Sequence, residues 1–171
     1  FAELSSYSLP NKGKVPSLDQ VLRELPGVML NIDVKSAGAV SPTVRAIEEN
    51  SAHDRVLVSS FSNTRRKRAL ALLSRPVATS GSMADVLRIW VAHKFLGGFG
   101  LKALTRGLDA LQLPCNYGPI LFAQPKFIAA MAAIDIEVHF WTINELEQMR
   151  ELLSMGVSGI VTDRCDLAAK L

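Results

Sequence analysis

Hydrophobic positions along the chain alternate between two spacings, one typical of strands and the other of helices. Residues 28–34 form an apolar run of strand length, and residues 40–50 follow with the period of a helix. The same alternation recurs to the C-terminus and predicts six strands, each followed by a helix or a helical loop. The other five strands are predicted at residues 56–59, 77–79, 110–113, 136–141 and 159–162.

Helix ends are predicted from short polar motifs. Ser17 and Gln20 have the spacing of a capping box, which begins a helix that ends at Pro26-Gly27. Near the C-terminus, Asn144 is the predicted N-cap of a helix that stops at Gly156.

Strands that alternate with helices and read as nearly continuous apolar runs indicate a parallel sheet covered by helices. A doubly wound sheet would normally carry a glycine-rich phosphate motif after an early strand, and the sequence has neither G-x-G-x-x-G nor G-x-x-x-x-G-K-[ST]. A (β/α)₈ barrel instead carries inward polar residues near the carboxyl ends of its strands. By period-two geometry, one face holds Asn31, Asp33 and Lys35 in the first strand, and Glu137, His139 and Trp141 in the fifth. We therefore favour the barrel.

Six strands cannot close such a barrel, which needs eight. We expect residues 1–171 to form a single domain that represents about six of the eight βα units. The other strands would come from another part of the protein or from another chain.

Composition excludes several other classes of protein. The 171 residues are 49% hydrophobic and 20% charged with a net charge of +3, values typical of a globular domain and too mild for nucleic-acid binding. The basic run at residues 65–68 opens a predicted helix, and we interpret it as a solvated surface rather than a phosphate patch. No apolar run is long enough for a transmembrane segment. Cys115 and Cys165 lack metal-ligand spacing, so we expect structural cysteines and a cytoplasmic protein.

Six segments in collinear order together resemble the glycerophosphodiester phosphodiesterase family. They cover nearly the whole chain and read VPSLDQVL (15–22), LNIDVK (30–35), VSSFS (58–62), ALQLP (110–114), VHFWTIN (138–144) and GVSGIVTDR (156–164). The resemblance implies a TIM barrel of which this chain holds strands 3 to 8. It also implies a hydrolase that uses Mg²⁺ or Ca²⁺ to cleave a glycerophosphodiester, its small-molecule substrate, to an alcohol and glycerol 3-phosphate.

The same resemblance implies roles for particular residues. The family's His-Arg-Gly motif and Glu-x-Asp pair would precede Phe1, so this chain would contain no catalytic residue and would be inactive alone. Asp33 takes the place of the family's metal-binding Glu in a Glu-x-Lys element, with a side chain one methylene shorter, and Lys35 takes the place of the lysine. We expect Asp33 to bind the metal and Lys35 to bind phosphate. Phe61, Gln112 and Trp141 are the expected walls of the pocket.

Each of these roles has an alternative. Asp33 and Lys35 would also suit an ion pair within the barrel, and Gln112 and Trp141 would also suit contacts with barrel neighbours. For His139 we favour a hydrogen-bonded position in the core over a catalytic role. His53 and His93 are expected at the surface.

Two alternatives apply to the function of the whole chain. One is a non-catalytic barrel or fragment that acts in binding or assembly. The other is a different phosphate-binding barrel enzyme, suggested by the glycines within residues 156–162.

Overall fold

Strands and helices alternate along residues 13–171, the part of the chain that our computed structural model describes. The strands are β1 (Leu30–Asp33), β2 (Val56–Ser59), β3 (Ala78–Thr79), β4 (Ala110–Leu113), β5 (Asn116–Tyr117), β6 (Ile120–Leu121), β7 (Glu137–Phe140) and β8 (Gly159–Ile160). The helices are α1 (Leu18–Glu24), α2 (Val40–Glu49), α3 (Asn63–Leu72), α4 (Met83–Phe95), α5 (Leu101–Leu104), α6 (Pro125–Ala132), α7 (Leu146–Ser154) and α8 (Cys165–Ala168). None of these helices is long and apolar enough to cross a membrane.

Two three-stranded parallel sheets form the centre of the fold, in the orders β1-β2-β3 and β4-β7-β8. A parallel bridge between Ser80 and Ala110 joins them, and the Gly81 N–H donates to the Ala110 carbonyl at 3.0 Å. The six strands thus make one continuous arc, with β1 and β8 at its ends within the described residues. This order and direction are those of consecutive strands of a (β/α)₈ barrel, as predicted.

The hairpin β5-β6 is a feature that the sequence analysis did not predict. Its strands pair antiparallel directly after β4, where the predicted pattern passes straight to a helix. The Phe122 and Ala123 N–H groups both donate to the Cys115 carbonyl, at 2.8 and 3.1 Å, and so close the base of the hairpin.

Apolar side chains fill the space between the sheet and its helices in two clusters. One contains Val34, Ile47 and Val58, and the other contains Leu111 and Phe140, all at most 1% exposed. Alternate strand residues therefore face the helices, and the residues between them face the inside of the arc.

The N-terminal cap of α1 is as predicted, whereas that of α7 is not. Ser17 Oγ accepts from the Gln20 N–H at 3.1 Å and Gln20 Oε1 accepts from the Ser17 N–H at 2.9 Å, which confirms the capping box of α1. The N-cap predicted at Asn144 is wrong, because α7 begins at Leu146 with no side-chain cap. The Asn144 Oδ1 instead accepts from the Asp163 N–H at 2.9 Å, so a tertiary contact occupies the oxygen that would have capped the helix.

The basic run is not simply a solvated surface. Arg66 is only 5% exposed, donates to Asn63 Oδ1 at 2.9 Å and lies 3.6 Å from the carboxylate of Asp85. The surface interpretation is therefore wrong for Arg66, although Lys67 and Arg68 are exposed.

The surface positions predicted for two histidines also need correction. His53 is only 4% exposed. Its Nε2 lies 3.2 Å from Glu48 Oε1, and its Nδ1 lies 3.2 Å from an Arg75 guanidinium nitrogen. His93 is half-buried, with its ring centroid 5.3 Å from that of Phe127. Burial, and then the charge of Lys94, lower the pKa of His93.

Candidate functional site

A cleft of about 290 Å³ opens at the carboxyl ends of the parallel strands. The carboxyl ends of parallel strands meet at one edge of a sheet, so residues far apart in sequence converge there. All five residues predicted to bind metal or substrate line this cleft, namely Asp33, Lys35, Phe61, Gln112 and Trp141. The remaining lining residues are Asn31, Ser59, Ser60, Ser80, Gly81, Met83, Thr142 and Val161.

Asp33 and Lys35 form the charged part of the cleft. Asp33 Oδ2 accepts from Lys35 Nζ at 2.7 Å, so the ion pair considered as an alternative is present. The Lys35 side chain is 77% exposed, and an ion pair with so exposed a member contributes little to folding stability. Asp33 Oδ1 is buried and has no hydrogen-bond partner among the described residues.

Two aromatic rings form an apolar wall beside this pair. Phe61 and Trp141 meet edge to face, with their ring centroids 6.0 Å apart and an angle of 68° between the ring planes. Lys35 Nζ lies 5.6 Å from the centroid of the Phe61 ring. Phe61 is 55% exposed, which leaves much of its ring open to a ligand.

A polar relay lies deeper inside the arc, between β4 and β7. The Gln112 amide nitrogen lies 3.4 Å from His139 Nδ1, and His139 Nε2 lies 2.9 Å from Glu137 Oε2. Each ring nitrogen of His139 therefore has one polar neighbour within the arc. His139 is thus the hydrogen-bonded interior histidine that the sequence favoured, and Gln112 contacts a barrel neighbour while also lining the cleft.

A second cavity, of about 930 Å³, continues the inside of the arc toward the amino ends of the strands. Asn31, Gln112 and Val161 line both cavities. The two cavities therefore adjoin inside the arc.

The segment between β3 and α4 is a part of the cleft that the sequence analysis missed. Ser80 and Gly81 line the cleft, and Ser82 caps α4 by accepting from the Asp85 N–H. The pattern Ser82-x-x-Asp85 was the available signal, because it marks a helix start directly after a strand.

The donor atoms of the chain decide whether a divalent cation fits the cleft. Among residues 13–171, no group of three or more His, Cys, Asp or Glu residues is arranged to hold a metal ion. Asp33 Oδ1 is nevertheless a buried carboxylate oxygen without a partner, and such an oxygen fits one ligand position of Mg²⁺ or Ca²⁺.

Comparison with known proteins places this chain in a family. The family model described as "Glycerophosphoryl diester phosphodiesterase family" matches residues 2–167. The chain is 41% identical over 154 residues to the "Probable glycerophosphodiester phosphodiesterase 2" of Mycobacterium tuberculosis, a match that covers 90% of the chain. The chain spans only 58% of the length of that relative.

Solved structures support the fold. A glycerophosphodiester phosphodiesterase from Agrobacterium tumefaciens matches with a TM-score of 0.72 at 17% identity, covering 99% of this chain and 69% of the other. One from Parabacteroides distasonis matches with a TM-score of 0.68 at 21% identity, covering 99% and 71%. The α/β arc is therefore part of a (β/α)₈ barrel, and the chain belongs to the glycerophosphoryl diester phosphodiesterase family.

Proposed function

We propose that the complete protein hydrolyses glycerophosphodiesters to an alcohol and glycerol 3-phosphate with the help of Mg²⁺ or Ca²⁺. In this proposal, residues 1–171 are one domain and supply strands 3 to 8 of the barrel. The remaining strands come from another part of the protein or from another chain. The observation that carries the proposal is that Asp33 Oδ1, buried at the cleft, has no hydrogen-bond partner among the described residues of a chain whose family is described as glycerophosphoryl diester phosphodiesterase.

Asp33 is proposed as a metal ligand. Its Oδ2 accepts from Lys35, and its buried Oδ1 makes no hydrogen bond with the described residues. A bound divalent cation would neutralise the negative charge that develops on the phosphoryl group. The aspartate side chain is one methylene shorter than glutamate, so glutamate at this position would reach further into the cleft.

Lys35 is proposed to bind a phosphate oxygen. Its ammonium group lies at the exposed end of the cleft, where a substrate arriving from solvent meets it first. A flexible lysine acts as a mobile point charge, so it can contact Asp33 in the free protein and a phosphate oxygen in the complex.

The uncharged lining is proposed to hold the rest of the substrate. Phe61 and Trp141 present an apolar surface against which a glycerol or alcohol group would pack. Gln112 offers an amide at the floor of the cleft, and its bond to His139 fixes the orientation of that amide.

Acid and base catalysis is not assigned to this chain. The two ring nitrogens of His139 lie against Gln112 and Glu137, so both serve the polar relay. We propose that the acid and base come from the family's histidine motifs outside these residues, and that the 171-residue chain alone is inactive. The free thiols of Cys115 and Cys165 are compatible with the cytoplasmic location that we also propose.

The ion pair itself supports the second candidate function, a non-catalytic barrel acting in binding or assembly. In that case, Asp33 and Lys35 would only neutralise each other at the mouth. The glycine argument for a different phosphate-binding enzyme is weaker, because Gly156 lies between α7 and β8, before the strand rather than after it.

Hydrolysis by the complete protein separates these functions. We expect turnover of a glycerophosphodiester that a chelator abolishes and that added Mg²⁺ or Ca²⁺ restores. Asp33→Ala should abolish this turnover, and Asp33→Glu should retain or raise it. Chelator-sensitive turnover that is undiminished in Asp33→Ala would remove Asp33 from the metal site, and absence of all turnover would favour the non-catalytic barrel.

A further inference from the structure

A group of apolar side chains projects into solvent around the end of α4, away from the cleft residues. We define the Phe99 patch as Val91, Phe95, Leu96, Phe99 and Leu104. Phe99 is 84% exposed, Phe95 is 69% exposed and Leu96 is 58% exposed. Large apolar side chains clustered at such exposures mark interaction surfaces rather than chance surface residues.

The helix that carries this patch has a mixed outer side, where exposed Val91 and Phe95 lie beside exposed Arg88 and Lys94. Ile89 and Ala92 face the core at no more than 2% exposure, whereas Val91 on the outer side is 46% exposed. A surface helix normally turns its large apolar residues toward the core, which these outer residues do not do. The described residues cover only the inner side of α4.

The patch is held in place by its own contacts. The Trp90 ring meets both Phe95 and Phe122 edge to face, with centroid distances of 6.0 and 6.4 Å. In the loop that follows α4, the Gly98 N–H donates to the Ala92 carbonyl at 3.1 Å and the Phe99 N–H donates to the Leu96 carbonyl at 3.0 Å. The exposed rings are therefore presented by a hydrogen-bonded turn.

The charged side chains of the segment that carries the patch, between Asp85 and Asp109, are all basic. Residues 86–108 contain Arg88, Lys94, Lys102 and Arg106 but no aspartate or glutamate. Lys94, Lys102 and Arg106 are exposed, and none makes an ion pair with a described residue. A positive rim around exposed aromatic and aliphatic side chains is complementary to an anionic apolar surface.

The position of α4 in the fold keeps the patch away from the edges of the arc. The helix follows β3, in the middle of the six strands, whereas β1 and β8 are the edge strands of the described sheet. Further strands of the barrel would pair with β1 or β8, at the two ends of the arc, and would not lie next to α4.

We infer that the Phe99 patch docks the protein on the surface of a membrane that contains anionic lipids. Phe95, Leu96 and Phe99 enter the interface between headgroups and acyl chains, and the surrounding lysines and arginines contact lipid phosphates. A symmetric contact between two copies fits less well, because it would bring the same unpaired positive charges together. This docking requires neither the metal nor hydrolysis, so it stands or falls separately from the proposed function.

Vesicle binding by the complete protein tests this inference. The protein is mixed with vesicles of equal parts phosphatidylglycerol and phosphatidylcholine, or of phosphatidylcholine alone, and the bound fraction is measured by flotation. We expect binding to the anionic vesicles that falls at least about tenfold in Phe95→Ser/Phe99→Ser and in Lys94→Glu/Lys102→Glu, and that weakens in high salt. Leu153→Ser and Lys67→Glu change exposed residues outside the patch and should bind like the wild type.

Three results would overturn the inference. The first is no binding to anionic vesicles by a wild-type protein that is folded by circular dichroism. The second is binding that the patch variants do not weaken. The third is a concentration-dependent dimer in light scattering that Phe95→Ser/Phe99→Ser dissociates in the absence of vesicle binding, which would assign the patch to a second copy.

Discussion

Gly159 lies against the imidazole ring of His139, so closely that a Cβ atom at position 159 would be 2.8 Å from His139 Cδ2 and 3.2 Å from Cγ. The two residues are direct partners in the pairing of β7 with β8. The His139 ring is held from two sides by Gln112 and Glu137, so it cannot turn away without loss of those contacts. Glycine at position 159 thus leaves room for the relay that orients Gln112.

Gly159→Ala should therefore destabilise the protein by about 1–3 kcal/mol, the usual cost of inserting a methyl group into a packed site. Urea unfolding measures this loss. Gly38→Ala is the matched control, because a Cβ atom at position 38 meets nothing within 4 Å. In the double variant Gly159→Ala/His139→Ala the two costs should be less than additive. Equal stability of Gly159→Ala and the wild type would show that the ring moves freely.

Glu48 predicts a specific dependence of stability on pH. Its carboxylate accepts from the Ser74 N–H at 2.6 Å and from the Ser74 hydroxyl at 2.7 Å, and it also contacts His53. These hydrogen bonds, the Ser74 N–H first, lower the pKa of Glu48 from its ordinary 4.5 to about 2. The unfolded chain then binds more protons between these values, so the stability due to Glu48 is complete above pH 4.5 and is lost as the pH falls to about 2.

Glu48→Gln should accordingly be less stable than the wild type at pH 7, and the difference should shrink as the pH falls through this range. Urea unfolding at several pH values measures both proteins. The neighbouring exposed Glu49→Gln should stay within about 0.5 kcal/mol of the wild type at pH 7. A difference between wild type and Glu48→Gln that is constant with pH would contradict the role of the charged carboxylate.

Lys35→Met tests whether Lys35 serves the substrate or the fold. Methionine keeps an unbranched apolar stem and removes the charge. We expect a fall of about 100-fold in kcat/KM for the complete protein, because a charge facing the phosphoryl group is lost. The Tm should barely change, since the Lys35 side chain of the ion pair is 77% exposed.

Lys67→Met is the matched control for Lys35→Met, as Lys67 is an exposed lysine on α3. Its kinetics should equal those of the wild type. Unchanged kinetics in Lys35→Met together with a marked fall in Tm would identify the ion pair as structural.

Most of the fold could be predicted because strands and helices are indicated by hydrophobic spacing within short segments. β2 and β4 match their predicted bounds, since each is a short buried run between polar turns. Two errors have another cause. Asn144 and His53 are partnered by residues 19 and 22 positions away, and no local pattern reveals such partners.

The candidate site was predictable in its membership but not in its geometry. The alternation Asn31-x-Asp33-x-Lys35 places three polar side chains on one face, and the barrel brings that face to the strand ends. That Asp33 Oδ1 remains without a partner depends on every side chain around it. The contact between Gly159 and His139 likewise depends on how two strands pair, which is a tertiary property.

The activation of hydrolysis by Mg²⁺ tests the central claim, that Asp33 binds the metal, most directly. Rates of the complete protein on one glycerophosphodiester are measured against Mg²⁺ concentration for the wild type and for Asp33→Asn, which keeps the shape and removes the charge. Asp135→Asn is the control, because Asp135 lies in the turn before β7 and its positive φ is one that asparagine tolerates. We predict that Asp33→Asn needs at least about tenfold more Mg²⁺ for half-maximal activity or loses activation, whereas Asp135→Asn follows the wild type. Superimposable activation curves for Asp33→Asn and the wild type would contradict the account.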